Sequence, residues 1–395
     1  MSKRTPTPTI PQSKQPHVAL LVETSLASGR DIVRGVARYA RENGPWSIFY
    51  EPRSLESALP QWLAAWRGHG IIARLLNHRI AGTIAATGLP AVDVLGVSAH
   101  PQVPLVHVND QAIAQLAAEH LLERGFRNFG FCGLPGINWS QARETAFLEA
   151  VAPHAYFTNV FKLRAAKDAH TSWESQQDAL AKWVQGLPKP AAVMACNDPQ
   201  GQRVIEACRR AGVSVPEQVA VIGVDNDEPI CEIADPPLTS VNADHFRVGY
   251  EAAAVLARLM RGNTLSDRVV YLPPAGIVTR RSTDVLAIDD AEVAALVRYI
   301  RDHACDGISV ASVLQHSALS RRTLHRRFHE VLGRSVHDEI VRVRMSRAVE
   351  LLSTTDLPLP LVAERAGFRH QEYLGVVFKA QMGMTPGTYR RRALS

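Results

Sequence analysis

The sequence predicts a two-lobed α/β body built on parallel sheets, followed by an all-α C-terminal domain with two helix-turn-helix units. Three observations carry this. From His17 to about Asp284, short apolar runs alternate with stretches of helical periodicity, the mark of parallel βα units. There are too many such units for one comfortable sheet, which favours two similar lobes with a ligand cleft between them. The last quarter of the chain repeats itself. SRRTLHRRFHEVLG carries Ser320, Leu324, Phe328 and Gly333, and fifty residues on HQEYLGVVFKAQMG carries Leu374, Phe378 and Gly383 at the same positions.

Charge follows the same division. The 395 residues have a net charge of +6. From Gly307 to the end there are 14 Lys/Arg against 7 Asp/Glu, a net of +7, so the rest of the chain sums to −1. A basic end on a neutral body points to a polyanion partner for that end. The five cysteines are scattered without a CxxC pair, as expected of core thiols in a reducing compartment, and no metal or cofactor is expected. MSKRTPTPTIPQSKQP lacks an apolar h-region and is expected to be a disordered tail over residues 1–16. No stretch reaches about 18 apolar residues, so no membrane span or membrane partner is expected, and the protein should be cytoplasmic.

The body opens with HVALLVE, a continuous apolar run that reads as a strand buried on both faces. SGRDIVRGVARYARENG follows at helical spacing, with Ile32, Val33, Val36, Tyr39 and Ala40 in register, and Gly44–Pro45 stops it. WSIFYE is the next strand. Further units are Leu105–Val108 with a helix from Asp110 to Glu123, Asn128–Cys132 with a helix from about Ser140, and Ala191–Ala195 with a helix over Asp198–Ala211. Val219–Val224 is another strand.

In such sheets ligands bind beyond the carboxyl ends of the strands. The residues there are Thr24, Ser25, Ser28, Arg30 and Asp31 after the first strand, then Asn138, Trp139 and Arg143, then Asn197 and Asp198, then Asp225, Asn226 and Asp227. Carboxylates and amides can take paired hydroxyls, an arginine fork can fix orientation, and an indole can cover the C–H side of a sugar. The site expected from this is Ser25, Arg30, Asp31, Trp139, Arg143, Asn197, Asp198, Asp225 and Asn226. Asp110 and Asp198 also stand where helix N-caps stand, and Trp139 serves equally well as half-buried core. Asp225 ends a buried strand directly, where a carboxylate must be paired or face a ligand.

Residues 285–306 read as a linker around Thr283–Asp290 and a connecting helix, AEVAALVRYIRDHACDG, with Val293, Leu296, Val297, Ile300 and Cys305 near one face. Residues 307–395 hold the two units. In the first, a helix and a short turn lead to a second helix capped by Ser320. Leu324 and Phe328 point inward, and Arg321, Arg322, His325, Arg326 and His329 point outward. A long helix over about Val336–Leu352 joins the units. In the second, LPLVAERAGF supports, Gly367 turns, and His370–Gln381 reads. TPGTYRRR closes the chain with Thr385 as cap and Pro386 at the first helical position. One helix of such a unit crosses the DNA backbone while the other enters the major groove, where Arg can pair with guanine and Gln with adenine. The expected contacts are Ser320, Arg321, Arg322, His325, Arg326, Arg369, His370, Gln371 and Glu372.

Two resemblances sharpen these readings. NDPQGQRVIEACRRAGVSVPEQVAVIGVDNDE, PPLTSVNADHFRVGYEAAAVLARL and LPPAGIVTRRSTD resemble the effector-binding domain of LacI/GalR regulators, which shares the fold of periplasmic sugar-binding proteins. The resemblance covers about Pro16 to Asp284, marks residues 17–284 as a sugar-binding sensor domain, and implies that Arg143, Asp225 and Asn197–Asp198 line a sugar site. That family's N-terminal DNA-binding headpiece has no counterpart here. LLSTTDLPLPLVAERAGF, YLGVVFK and GMTPGTYRR resemble the signature of the AraC-type double helix-turn-helix domain. Two positions depart from it, Leu314 in the first supporting helix, where Ala is usual, and Val376 in the second reading helix, where a basic residue is common; the latter implies weaker phosphate contact by the second unit. The pairing of both parts, with YIRDHACDGISV at the junction, resembles the bacterial xylose-operon regulators. It implies a sugar-responsive activator of pentose catabolism that binds D-xylose and sequence-specific double-stranded DNA as a homodimer, and that engages RNA polymerase. Alternatives are a regulator answering another monosaccharide such as L-arabinose, or a sugar-binding receptor with no role in transcription. No P-loop, HExxH, GxSxG elbow or GxGxxG after a strand is present, so no enzyme is expected.

Overall fold

The structure is a computed structural model that describes residues 15–51, 60–98, 100–162, 173–285 and 290–394. Nearly all of the expected tail, residues 1–14, therefore lies outside the described residues.

The first lobe contains β1 (His17–Leu21), α1 (Ala27–Asn43), β2 (Ser47–Tyr50), β3 (Gly70–Ala73), α2 (His78–Ala86), β4 (Ala91–Asp93) and β5 (Leu105–Val108). Helix α3 (Asp110–Leu122) leaves β5 at the cleft and packs against the second lobe. That lobe contains β6 (Asn128–Gly133), α4 (Asn138–Val151), β7 (Phe157–Lys162), α5 (Trp173–Gly186), β8 (Ala191–Ala195), α6 (Asp198–Arg210), β9 (Val219–Val224), α7 (Glu228–Ile233) and β10 (Thr239–Asn242). The chain then returns through α8 (His245–Met260) and β11 (Val269–Leu272) to the first lobe, and crosses once more into β12 (Gly276–Val278).

One sheet runs β11-β5-β4-β3-β1-β2, all parallel. The other runs β12-β10-β9-β8-β6-β7, parallel except for the antiparallel β10–β12 pair. The central strands are wholly apolar and buried because helices cover both faces, hence continuous runs such as VAVIGV rather than alternation. Helices α1 and α8 approach closely enough that a Cβ on Gly249 would meet the Ile32 carbonyl oxygen at 2.0 Å. Only glycine permits that approach, and it locks α8 to the first lobe.

The C-terminal domain contains α9 (Ala291–His303), α10 (Val310–Gln315), α11 (Arg321–Leu332), α12 (Val336–Thr354), α13 (Leu359–Arg365), α14 (Gln371–Met382) and α15 (Pro386–Leu394). It has two apolar cores. Val313, Leu324, Phe328, Val336 and Ile340 belong to the first, and Met345, Leu352, Val362, Leu374 and Phe378 to the second. Helix α12 threads both.

Two expected boundaries shift. Helix α9 is not a free connector, because Val293, Leu296, Val297 and Ile300 are buried in the first of these cores. Thr283 is not linker. It is fully buried, with its hydroxyl bonded to Thr239 and to His120, each at 2.9 Å, so the sensor body extends past it. Among the described residues no helix is long and apolar enough to cross a membrane.

Candidate ligand cleft and nucleic-acid interface

The cleft is organised by a turn that resists its own backbone. Strand β9 delivers Asp225 and Asn226 at φ 99° and 51°, a left-handed region that side chains rarely occupy. Such strain persists only where surroundings over-determine it, and it concentrates at functional sites. Here the turn is held by Asp198, whose carboxyl group is fully buried. It accepts from the Asp227 amide at 2.7 Å and meets the Ser240 hydroxyl at 2.5 Å. Gly223 makes room, since a Cβ there would lie 2.2 Å from Asp198 Oδ1.

Around Asp225, groups from both lobes converge. His245, at the start of α8, donates from Nε2 to Asp225 Oδ1 at 3.0 Å. Arg143 of α4 is 3% exposed and reaches three ways. Its Nε donates to Asp110 Oδ1 at 2.8 Å, its Nη1 to the Cys196 carbonyl at 2.6 Å, and its Nη2 lies 3.8 Å from Asp225. Its guanidinium also stacks 5.0 Å from the centre of the Trp139 ring. His107 sits 3.6 Å from Asp110, and neither of its ring nitrogens has a hydrogen-bond partner among the described residues. Deeper in the first lobe Glu23 and Arg74 form a buried ion pair, and Arg74 Nε has no hydrogen-bond partner among the described residues.

These surroundings set the charges. Burial alone would raise the Asp225 carboxyl, but the His245 hydrogen bond and the charges of His245, Arg143 and Arg74 hold it at about 2. Burial works against charge on Asp110 too, and Arg143 with His107 holds it below the ordinary aspartate value. Asp198 goes the other way. Burial, aided by the charge on Asp225, pushes it up to about 8. The cleft therefore presents an ionised carboxylate pair bridged by a guanidinium, over a neutral carboxylic acid that serves the backbone. Carboxylates accept and Arg, His and Trp groups donate, which suits a ligand whose hydroxyls do both.

Of the expected site residues, Arg143, Trp139 and Asp225 come together. Arg30 bridges the two lobes, donating to the Thr24 and Ser25 carbonyls and across to Asp227 Oδ1 at 3.0 Å. Ser25 is exposed beside it. Four residues are engaged elsewhere. Asp31 pairs with Arg34 one turn on. Asn197 caps α6 by accepting from the Gln200 amide. Asp198 lies under the turn rather than in the cleft. Asn226 accepts from Arg280 at 2.9 Å. The expectation that Asp110 and Asp198 are caps is corrected as well, since the caps are Asn109 and Asn197. Each asparagine has the extended backbone of an N-cap, and the aspartate after it is the first helical residue. Sequence reasoning missed His107, His245 and the Glu23–Arg74 pair, and named Asp227 beyond its strand without placing it in the site. The repeated Asn-Asp dipeptide after β5 and β8 was the one signal available.

In the C-terminal domain, Ser320 caps α11 by accepting from the Thr323 amide at 3.3 Å. Leu324 and Phe328 are buried, while Arg321, Arg322, His325, Arg326 and His329 form one exposed basic face. Helix α14 repeats the design. Leu374 and Phe378 are buried, Arg369, His370, Gln371 and Glu372 are exposed, and Gly383 ends it at the same φ of 69° as Gly333 ends α11.

The domain is docked on the second lobe. Helix α3 runs from Asp110 in the cleft to Glu123, and three arginines of the C-terminal domain converge there. Arg342 Nη1 donates to Glu123 Oε2 at 2.7 Å, and Arg301 and Arg334 donate to its carbonyl at 3.2 and 3.4 Å. The fully buried Glu339 holds Arg334 and Arg342 in place through bonds of 2.7–3.0 Å. Cations here complement the negative end of the α3 dipole. Arg127 adds a bond to the Val331 carbonyl at 3.3 Å.

Comparison with known proteins follows this division. Residues 118–283 match a periplasmic binding protein-like domain and residues 313–392 a helix-turn-helix domain. The xylose operon regulatory protein of Escherichia coli K12 is 32% identical over 96% of this chain and 97% of its own length. That of Haemophilus influenzae is 29% identical over 94% and 97%. The solved structure of the xylose-binding transcription activator XylR superposes with a TM-score of 0.63 at 31% identity, covering 96% of this chain and 98% of that one.

Proposed function

On the premise that the chain belongs to the xylose operon regulatory proteins, which it matches almost end to end, we propose that D-xylose binds in the cleft at Asp225, Arg143 and Asp110. The chain is a sugar-responsive, AraC-type transcriptional regulator of xylose metabolism and not an enzyme. The observation that carries the ligand assignment is the Asp110–Arg143–Asp225 array. It joins ionised acceptors to a fixed guanidinium beside an indole, at the meeting of the two lobes. Trp139 covers the apolar face of the sugar ring, and His107 and Arg74 supply unspent donors.

Sugar favours whichever lobe arrangement binds it better. The C-terminal domain bonds to the second lobe through Glu123 and Arg127, so it moves with that lobe. Two protomers paired through their first lobes would then change the spacing of their reading helices on closure. In this reading the protein acts in the cytoplasm as a homodimer on direct DNA repeats and, as an activator, contacts RNA polymerase. Calorimetry of the full chain with D-xylose, L-arabinose, D-ribose and D-glucose tests the assignment. D-xylose should bind at least tenfold more tightly than the others, and equal affinities would overturn it.

A further inference from the structure

The two reading helices share a scaffold but not a surface. Their inner anchors, Leu324 with Phe328 and Leu374 with Phe378, and their terminal glycines lie fifty residues apart, so their outward positions correspond one to one. Where α11 presents Arg322, His325 and Arg326, α14 presents Glu372, Gly375 and Val376. The first set donates hydrogen bonds and carries positive charge. The second set carries one acceptor, one bare backbone position and one apolar side chain.

Among the described residues no packing accounts for Gly375 or Val376, whereas Glu372 sits in the first turn of α14, where a carboxylate also suits the positive end of the helix, and accepts from Gln371 Nε2 at 3.3 Å. Val376 is 68% exposed at the middle of the outward face, where a β-branched apolar group stabilises neither the helix nor the core. A Cβ on Gly375 would meet nothing within 4 Å, so no packing forbids a side chain there, although glycine weakens a helix interior. Glu372 faces a polyanion if it faces a phosphate, which is repulsive, whereas a base amino group is a partner it can take. The major groove offers two features that match. They are the 5-methyl of thymine, which takes apolar contact, and the N4 amino group of cytosine, which donates to a carboxylate.

Resting on the DNA-binding reading above, we infer that α14 reads pyrimidines, with Val376 against a thymine methyl and Glu372 accepting from a cytosine amino group. The low relief at Gly375 lets the base edges come close beside Val376. The first helix, by contrast, is equipped for guanines. The chain thus recognises an asymmetric half-site, and the absence of a basic residue at position 376 is a gain in selectivity rather than a lost phosphate contact.

The test starts from an operator recovered by in vitro selection with the full chain from a random duplex pool, with the two contacted segments located by footprinting. Each thymine is then replaced by deoxyuridine, which removes only the methyl group. One replacement under α14 should weaken binding about fourfold, the factor a buried methyl is worth. Val376→Ala should lose the same factor and become indifferent to that replacement. Glu372→Ala should relax the preference for one C·G pair at least tenfold. Both side chains are exposed, so thermal melting should be unchanged. Uridine-insensitive binding under α14, or undiminished uridine sensitivity in Val376→Ala, overturns the inference while leaving DNA binding standing. Recovery of no specific sequence overturns the DNA-binding reading itself.

Discussion

Glu123→Ala should uncouple sugar from DNA while leaving each binding site intact. The side chain makes one strong contact, with Arg342 at 2.7 Å, and the two side chains are 33% and 21% exposed. An exposed pair contributes up to about 1 kcal/mol and breaking a buried one costs about 3–5 kcal/mol, so this half-buried pair falls near 1–2 kcal/mol. The dock survives the substitution, because Arg301 and Arg334 bond the backbone carbonyl of residue 123 and Glu339 keeps its partners. What is lost is stiffness between the second lobe and the C-terminal domain. A loss of 1 kcal/mol in one lobe arrangement but not the other changes the coupling factor about fivefold. Operator affinity is measured by fluorescence anisotropy with and without D-xylose, and sugar affinity by calorimetry with and without operator. Linkage requires the two ratios to agree, which checks the data internally. The expected result is a ratio moved toward unity at least fivefold, with both basal affinities within about threefold of the parent. A ratio unchanged within twofold would refute transmission through this contact.

Asp225→Asn removes the charge that Arg143 and His245 face, and charge-assisted bonds are worth about 1.5–3 kcal/mol, so sugar affinity should fall roughly 10- to 150-fold; calorimetry showing an unchanged value removes Asp225 from the site. Asp198 is raised from an ordinary 3.8 to about 8. The folded state therefore keeps a proton that the unfolded state has released, and its stabilising contribution is full below pH 4 and drains away as pH rises toward 8, by at most about 1.4 kcal/mol per unit. Asp198→Asn is the uncharged isostere, its Oδ1 accepting from the Asp227 amide and its Nδ2 donating to the Ser240 hydroxyl, so its urea-unfolding free energy should lose that downward slope between pH 5 and 7.5. Arg322→Ala and Arg326→Ala separate base reading from phosphate contact. The former role costs about 1–3 kcal/mol and relaxes one operator position, whereas the latter lowers the salt dependence uniformly, as binding titrations across salt concentrations will distinguish.

The strands and reading helices were legible because each is a local pattern. VAVIGV has no polar residue, and Leu324/Phe328 recur as Leu374/Phe378. Asp225 was legible because a carboxylate ending a buried strand needs a partner. The partner itself was not, since His245 comes from a helix of the opposite lobe and meets Asp225 only when the chain has crossed the cleft. Asn109 and Asn197 were overlooked as caps because the aspartates that follow them are equally good cap residues by type. Their extended backbone, not their chemistry, decides. The dock was illegible altogether. Glu123 and Arg342 are 219 residues apart, and each read alone is an ordinary charge on an ordinary helix.

The placement of that dock constrains how a signal can pass. The bonds that Arg301 of α9, Arg334 in the turn before α12 and Arg342 of α12 make to the body, and the bond from Arg127 to the Val331 carbonyl of α11, meet at Glu123 and Arg127, both joined to the second lobe by α3 and β6. The first lobe is stiffened separately, by the close α1–α8 contact at Gly249. Two stiff bodies with the cleft between them convert sugar binding into a rotation only if the ligand grips both. Asp110 opens α3, Arg143 and Asp225 belong to the second lobe, and His107, Arg74 and His245 arrive from the first. Helix α3 thus starts at the proposed sugar site and ends at the arginines that hold the C-terminal domain. A substitution that loosens either end should separate the two affinities without abolishing either. That outcome distinguishes a transmitting helix from one that merely fills space, because a filler would lose stability at both sites together.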